Sequence, residues 1–397
     1  MINILQKNQI NEMLRKSVQE ISISKTQHET LVASYEAVGN YLAANEELRR
    51  FRPEIYPQGS IRLETAIKPI SDDDDIDIDL VCEFSNIPSD WTQKDLKDAV
   101  GKCLKDSARY RDMIEKKDGG KRCWTLLYRQ GSANNYHMDI LPAVVADNYG
   151  LLLESFNHTD YSSLAISITD KTLPNYATST NHAYWPHSNP FGYAKWFEQR
   201  CRQRILKAVC ESVEEAPKYD ASPSVLQDAI KLLKRNRDLK YGGDDDKPIS
   251  IIITTLAARA YNGEANLYDA LVGIASGMSA FIEERMVNGR LVKYIANPVD
   301  ENENYADKWV NEPRKEKMFF DWLESVRSTV LRLADDAQTG SKAGFEALCG
   351  KNVIQRVYES VGQETKQKRE AGTLRMGATG LLGSVGTKVQ GHTFHGK

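Results

Sequence analysis

The chain has 397 residues, of which 41% are hydrophobic and 27% are charged, and its formal net charge is −3. This length predicts about two domains, and the composition is typical of a globular protein. A protein devoted to nucleic-acid binding is usually basic, so the slight negative charge argues against a long nucleic acid as partner.

Signals for membranes, secretion and zinc are missing from the sequence. No apolar run approaches the roughly 20 residues that a membrane span needs, and the opening MINILQKNQINEMLRK lacks the hydrophobic core of a secretory signal. The six cysteines include no C-x-x-C pair, so free thiols are expected rather than a zinc ribbon. We therefore expect a cytoplasmic protein.

The N-terminal residues predict a helical region. Across 8–48 no proline interrupts the chain, and Leu31, Tyr35 and Val38 follow one another at near-helical spacing. We assign residues 1–50 to an N-terminal helical region that braces the domains that follow.

Residues 51–190 combine short β-like runs with one helical stretch, Leu96–Met113. Two of the runs, Asp77–Val81 and His137–Leu141, alternate polar and apolar residues as half-buried strands do. Strands mixed with helices favour an α/β layer, so this segment is predicted to form an α/β core domain.

Residues 191–370 predict a helical domain. Its candidate helices are Gly192–Val213, a helix from Ser222-Pro223 to Gly242, Ile251–Tyr261 capped by Ser250, Leu267–Arg285 and Lys315–Ala337. Beyond them, residues 371–397 are rich in glycine and lack a sustained period, which predicts a flexible C-terminal tail.

The carboxylates of the core are the main chemical signal. Asp77 and Asp79 alternate with isoleucines, so on a strand they share one face and can bridge divalent cations. Asp139 taken alone fits a half-buried edge residue, but beside this pair it becomes a candidate third ligand. We interpret the preceding run Asp72–Asp75 as a solvated acidic loop and His137 as structural.

A possible phosphate-binding turn precedes the acidic strand. In Gln58-Gly59-Ser60, glycine allows backbone N–H groups to approach a phosphate, and the Ser60 hydroxyl can donate a hydrogen bond. Such a turn is weak evidence alone, and its weight comes from its position before two aspartates.

These motifs together resemble the polymerase-β-type nucleotidyltransferase signature. The longer segments YPQGSIRLETAIKP, DIDIDLV, HMDILPAV, LLKRNRD and PISIIITTLAARAY resemble the bacterial cGAS/DncV-like nucleotidyltransferases, the CD-NTases of CBASS antiphage systems. The resemblance covers roughly residues 50–340. One departure is Glu64, where relatives often carry glycine.

The resemblance implies a fold of class α/β plus all-α. A polymerase-β-like lobe, with a mixed sheet and helices, would join a helical lobe, and the active site would lie in the cleft between them. It also implies two Mg²⁺ ions, for which Mn²⁺ can substitute. The site residues that it implies are Asp77, Asp79 and Asp139 for catalysis and metal binding, and Gln58, Gly59, Ser60, Lys234 and Ser250 for nucleotide binding.

The implied activity is synthesis of a cyclic di- or trinucleotide second messenger from nucleoside triphosphates, signalling to an antiphage effector. A ubiquitin-like conjugation partner acting on the C-terminal tail is a further hypothesis, against the alternative of a plain unstructured tail. Lys234 lies among other basic residues of one predicted helix, for which an exposed basic face is the alternative.

Three other functions remain open from the sequence. The first is a linear oligoadenylate or RNA 3′-terminal nucleotidyltransferase, which would need a basic track for its acceptor strand. The second is a small-molecule or protein nucleotidyltransferase, usually a shorter chain. The third is a non-catalytic nucleotide-binding module, which would have no chemical need for three aspartates.

Overall fold

The computed structural model describes residues 3–71, 75–129, 135–146, 161, 164–201, 223–376, 382–383 and 387–389. Within these ranges the chain forms a mixed β-sheet and a large group of packed helices. The core of the sheet lobe and the core of the helical lobe are separate clusters of buried side chains. This arrangement confirms the predicted combination of a polymerase-β-like lobe with a helical lobe.

One six-stranded sheet carries the first lobe. Its strands are β1 (Pro53–Gln58), β2 (Ile76–Phe84), β3 (Trp124–Tyr128), β4 (Tyr136–Val145), β5 (Ile166–Ile168) and β6 (His187–Ser188). Their order is β1-β2-β4-β5-β6, with β3 also paired to β4. The neighbours β2 and β4 are parallel, whereas the other pairs are antiparallel.

The described helices number α1 to α11 in chain order. They are α1 (Ile4–Ile21), α2 (Lys25–Ala44), α3 (Gly59–Arg62), α4 (Gln93–Asp106), α5 (Pro190–Cys201), α6 (Val225–Tyr241), α7 (Ser250–Ala260), α8 (Leu267–Gly277), α9 (Pro313–Thr339), α10 (Ala343–Cys349) and α11 (Lys351–Glu370). No described helix is long and apolar enough to serve as a membrane span.

The N-terminal helical region consists of two helices that pack on different cores. A new capping box at Ser24, with Gln27 reaching back to it, starts α2 after α1 has ended at Ile21. Leu14 of α1 belongs to the core of the helical lobe, whereas Tyr35 of α2 belongs to the core of the sheet lobe. The first 44 residues therefore contact both lobes.

Two predicted helix starts are wrong. Helix α6 begins at Val225 and not at Ser222-Pro223, because the side chain of Ser224 accepts the N-terminal hydrogen bond in a capping box with Gln227. Helix α7 includes Ser250 as its first residue, and the N-cap is Ile249, which makes no side-chain cap.

The predicted helix Leu267–Arg285 is too long. Helix α8 ends at Gly277, and the chain continues into a hairpin of β7 (Glu283–Val287) and β8 (Arg290–Tyr294). The turn between these strands is Asn288-Gly289, and both residues have positive φ, as a two-residue hairpin turn requires. A second pair, β9 (Ala296–Asn297) and β10 (Asp300–Asn304), follows.

Part of the predicted tail pairs as short strands. The strand β11 (Arg375–Met376) pairs with β12 (Leu382–Gly383) and with β13 (Thr387–Lys388). Residues 377–381, 384–386 and 390–397 lie outside the described part of the chain. The regulatory role of the tail stays a prediction.

Candidate active site

The parallel pairing of β2 and β4 brings the three predicted aspartates together. In this register Asp77 lies beside His137, and Asp79 lies beside Asp139. The aliphatic residues that alternate with these aspartates are buried, so the polar residues must point to the opposite face of the sheet. A shift of one residue in register would bury the carboxylates, and the core therefore holds them in place.

Asp139 is oriented by the strand on its other side. Thr125 of β3 lies directly opposite Asp139, and its hydroxyl donates a hydrogen bond to Oδ1 of Asp139. This bond leaves Oδ2 as the atom of Asp139 with more freedom to bind a ligand. Thr125 was not among the predicted site residues, because its pairing with Asp139 depends on the sheet register.

Gly59 lies against the carboxylate of Asp79. Strand β1 ends with Gln58 paired to Asp79, and the chain then turns at Gly59 with φ +61°. A Cβ atom on Gly59 would lie 2.2 Å from Oδ2 of Asp79. Both the left-handed backbone and the close approach require glycine, so the Gln58-Gly59-Ser60 turn is built around the acidic strand.

The departure at Glu64 also has a backbone basis. Glu64 has φ +56°, which glycine adopts without strain and other residues rarely adopt. Its Oε2 accepts a hydrogen bond of 3.0 Å from the side-chain amide of Gln227 on α6. A glycine at this position could adopt the same left-handed conformation. It could not make the side-chain hydrogen bond by which Glu64 connects the sheet lobe to α6.

The carboxyl groups of the pair differ in exposure and in pKa. Burial, and then the charges of Asp77 and Asp139, raise the pKa of Asp79 to about 7. The surrounding cleft desolvates Asp77 in part and Asp139 repels its charge, so the pKa of Asp77 is also raised, against the opposing effect of His137. Because the Asp77 side chain is 79% exposed, water hydrates it well, and the stronger effect belongs to Asp79. Mutual repulsion of this kind is what a bound cation would relieve.

Lys234 faces the carboxylates from the helical lobe. Its residue is 5% exposed, and its Nζ donates a hydrogen bond of 2.9 Å to the carbonyl oxygen of Thr65. Burial and Arg237 lower the pKa of Lys234 to about 8, while the nearby aspartates oppose this effect. Its neighbours Lys231, Arg235 and Arg237 are buried as well, so the alternative of an exposed basic face is wrong.

Ser250 is tied to the same helix. Arg237 donates from Nη1 to Oγ of Ser250 at 3.0 Å, and from Nε to Asp238 at 2.8 Å. The hydroxyl of Ser250 therefore still has its own proton to donate. A ligand that reaches Ser250 could accept a hydrogen bond from its hydroxyl, whose oxygen already accepts one from the buried guanidinium of Arg237.

A pocket of about 450 Å³, here called the carboxylate pocket, joins most of these residues. Of the predicted site residues it is lined by Gly59, Ser60, Asp77, Asp79, Lys234 and Ser250. Its walls come from both lobes, as a cleft site requires. Gln58 instead lines a neighbouring cavity, and Asp139 lines neither, standing beside Asp79 on the adjacent strand.

The neighbouring cavity, here called the side pocket, has a volume of about 1130 Å³. It shares Gly59, Leu63, Asp79 and Ile251 with the carboxylate pocket. Asp79 therefore stands at the junction of two cavities. A ligand in each cavity would therefore adjoin the same carboxylate.

Asp75, which pairs with Arg129, is a further residue of the carboxylate pocket that the sequence did not indicate. The side chain of Asp75 is 7% exposed, and its carboxylate accepts two hydrogen bonds from Arg129 and lies 2.6 Å from Nε2 of His137. The interpretation of Asp75 as part of a solvated loop is therefore wrong, whereas residues 72–74 lie outside the described part of the chain. His137 lies between Asp75 and Asp77 and lines the carboxylate pocket, and its interpretation as structural stays a prediction.

The donor set fits a hard divalent cation. Asp77 and Asp79 open onto the carboxylate pocket, and carboxylate oxygens suit Mg²⁺ and Mn²⁺. Within the described ranges, no group of three or more His, Cys, Asp or Glu side chains is arranged to hold a metal ion. Mg²⁺ commonly takes one or two protein carboxylates and completes its shell with water and substrate phosphates. The pocket is therefore suited to an ion that arrives with a phosphate-bearing ligand.

Comparison with known proteins relates this geometry to a family. Residues 9–164 match the family described as the Second Messenger Oligonucleotide or Dinucleotide Synthetase domain. The chain is 28% identical over 401 residues to a c-di-GMP synthase of Roseivirga ehrenbergii, covering 98% of each chain. It is 23% identical over 381 residues to the cyclic dinucleotide synthase CdnG of Bradyrhizobium diazoefficiens, covering 88% of this chain and 83% of that one.

Solved structures share the fold. The structure of B. diazoefficiens CdnG with GTP matches with a TM-score of 0.63 at 18% identity, over 89% of this chain and 99% of that chain. The E. coli CdnC:HORMA-deltaN complex matches with 0.54 at 14% identity, over 86% and 96%. The GTP-bound form of Vibrio cholerae DncV matches with 0.52 at 14% identity, over 89% and 91%.

Proposed function

The chain belongs to the cGAS/DncV-like nucleotidyltransferases and is an enzyme of that class, and on this basis we propose that it joins two nucleoside triphosphates into a cyclic dinucleotide. The observation that carries the proposal is the register of β2 and β4, which aligns Asp79 with Asp139 at the junction of two cavities. Two cavities on one carboxylate suit a reaction between a donor and an acceptor nucleotide.

In this proposal, Asp77, Asp79 and Asp139 would hold two Mg²⁺ ions. The ions would neutralise charge on the triphosphate and lower the pKa of the attacking hydroxyl. The acceptor 3′-oxygen forms a bond to the α-phosphorus while the bond to pyrophosphate breaks. Asp139, oriented by Thr125, accepts the proton of the hydroxyl, directly or through water.

The chain's other residues bind and orient the triphosphate. Gly59 and Ser60 supply a turn without side-chain obstruction at the acidic strand, and Lys234 supplies a point charge from the opposite lobe. Ser250 donates its hydroxyl, supported by Arg237. Gln58 borders the side pocket, where the acceptor would lie. A second step of the same kind, now within one molecule, closes the ring.

The names of the relatives favour a cyclic product over a linear one. The curated relatives that the chain matches over most of its length are named cyclic dinucleotide synthases. We propose c-di-GMP as the product because the relative matched over 98% of each chain is named for it. A cyclic dinucleotide would serve as a second messenger, in keeping with the description of the matched family.

The wider biological role is also proposed. The messenger would activate a separate antiphage effector in the bacterial cytoplasm. The partner of the tail would be a ubiquitin-like conjugation protein or another regulator. An E. coli relative is described in complex with a HORMA protein, which supports regulation by partners in this fold without identifying one for this chain.

Product analysis tests the proposal. The purified chain is incubated with all four nucleoside triphosphates and Mg²⁺, and then with Mn²⁺, beside the variant Asp77→Ala/Asp79→Ala. Products are treated with phosphatase and resolved by mass spectrometry. A phosphatase-resistant cyclic dinucleotide made by the wild type and not by the variant supports the proposal. Linear products alone would move the assignment to an oligonucleotide or RNA-terminal transferase.

A further inference from the structure

The side pocket contains a carboxylate that the proposed reaction does not use. Glu303 lies on β10 and lines this cavity together with the amide side chains of Asn288, Asn297, Asn302 and Asn304. The cavity of about 1130 Å³ is large enough for a nucleoside. Since Asp79 lines the same cavity, a ligand held here would adjoin the proposed reaction centre.

Glu303 is held by a neighbour whose own orientation is fixed. The side-chain amide of Asn297 donates from Nδ2 to Oε2 of Glu303 at 2.7 Å. The other end of that amide, Oδ1, accepts a hydrogen bond of 3.0 Å from the backbone N–H of Val299. Asn297 is 2% exposed, so it cannot turn away, and the carboxylate is positioned before any ligand arrives.

The surroundings of Glu303 disfavour its charged form. Burial, followed by Asp300 and Asp307 against the opposing effects of Asn297 and Arg122, raises the pKa of Glu303 to about 7. A carboxylate that is poorly hydrated gains more from ligand N–H donors than an exposed one does. The pocket thus favours a ligand that presents donors to Glu303.

Among the nucleobases, guanine presents two adjacent donors on its Watson–Crick edge, N1–H and the N2 amino group. The two oxygens of a carboxylate can accept both hydrogen bonds at once. Adenine and cytosine each present one donor beside an acceptor, and uracil presents one donor between two acceptors. A carboxylate therefore discriminates in favour of guanine.

We infer that the side pocket binds the base of the second nucleotide and that Glu303 selects guanine there. This inference rests on the proposed nucleotidyl transfer, since it names the substrate of the same site. Arg62, Arg122, Arg290 and Lys308 line the same cavity and supply positive charge for the phosphates of that nucleotide. The side pocket is then the acceptor subsite, and its base preference is set by the helical lobe.

Direct binding tests the inference without requiring turnover. The full-length chain is titrated with the α,β-methylene analogues of GTP, ITP and ATP. The variants are Glu303→Gln and the control Glu301→Gln, an exposed residue of the same strand outside the side pocket. ITP lacks the N2 amino group, and glutamine replaces one acceptor with a donor, so each change removes one of the paired contacts. Thermal unfolding of each variant reports its folding.

We expect the wild type to bind two equivalents of the GTP analogue and Glu303→Gln to weaken one of them roughly 10- to 100-fold. The ITP analogue should bind that site about tenfold more weakly than GTP in the wild type but not in Glu303→Gln. The control should match the wild type. Equal binding of GTP and ITP at both wild-type sites would overturn the inference even if Glu303→Gln did not fold.

A purely structural Glu303 is distinguished in the same experiment. If Glu303 only braces β9 against β10, Glu303→Gln lowers the unfolding temperature and leaves the ratio of GTP to ATP affinity unchanged, which also overturns the inference. Failure of the proposed function looks different, because the wild type would then form no cyclic product from any nucleotide. The guanine preference of the second site would still be measured by binding.

Discussion

Gly59 and Asp79 lie so close that no side chain fits between them. A Cβ at Gly59 would stand 2.2 Å from Oδ2 of Asp79 and 3.1 Å from its Cγ. The proposed phosphate-binding turn and the proposed metal-binding strand are therefore one packed unit. Any change at Gly59 must move the carboxylate on which both cavities meet.

We predict that Gly59→Ala lowers kcat/KM at least 100-fold while the protein still folds. The added methyl group displaces Asp79, and alanine at φ +61° costs about 1 kcal/mol of unfolding free energy. The check is steady-state product formation beside thermal unfolding. Gly362→Ala is the matched control, since a Cβ there meets no atom within 4 Å; equal activities of the two variants would contradict the prediction.

Asp79 should make stability depend on pH. Its pKa of about 7 in the folded chain exceeds the unfolded value near 3.9, so the folded state holds the proton more tightly. The contribution of Asp79 to the free energy of unfolding is then fully present below pH 4 and is lost as pH rises through 7. Without divalent cations, Asp79→Asn should gain on the order of 2 kcal/mol over the wild type at pH 8 and nothing near pH 4, measured by urea unfolding at both values.

Divalent cations should offset the loss of stability that ionised Asp79 causes at high pH. Since a cation competes with the proton on Asp79, the midpoint of Mg²⁺ or Mn²⁺ binding should shift to lower concentration as pH rises from 6 to 8. The shift is measured by thermal stabilisation against metal concentration. It should vanish in Asp79→Asn, and a pH-independent midpoint in the wild type would rule out titration of this carboxyl group at the metal site.

Lys234→Met should impair triphosphate binding without impairing folding. Removing a buried ammonium costs little stability, because methionine fills similar space without desolvation, yet the triphosphate loses its point charge. We expect kcat/KM to fall about 100-fold with an unfolding temperature near that of the wild type. Lys240→Met, an exposed residue of the same helix outside both pockets, is the control and should retain activity.

Thr125→Val tests the orientation of Asp139. The variant keeps the β-branched shape on the strand and removes the hydroxyl that donates to Oδ1. We expect kcat to fall roughly tenfold with KM for nucleotides unchanged, as for a group that positions the proton acceptor. Thr125→Ser, which retains the hydroxyl, should recover most of the rate. A matching loss in Thr125→Ser would assign the effect to packing.

The sequence alone determined the elements whose signals are local. Alternating Ile76, Asp77, Ile78 and Asp79 must place polar and apolar side chains on opposite faces of a strand, so the face-sharing carboxylates followed without coordinates. The Asn288-Gly289 dipeptide is also a local signal, typical of a two-residue hairpin turn, but the residues before it were predicted to form a helix that extended to Arg285.

Only the tertiary structure decided which distant residues meet. The pairing of Asp79 with Asp139, the hydroxyl of Thr125 and the buried Asp75 depend on strand order and register, which are set by long-range packing rather than by local preference. The burial of Lys234 depends on how α6 packs, and the position of Glu303 in the side pocket depends on how the two lobes enclose a cavity. Such relations arise from the whole folded chain, because side chains far apart in sequence have no local interaction that could encode their contact.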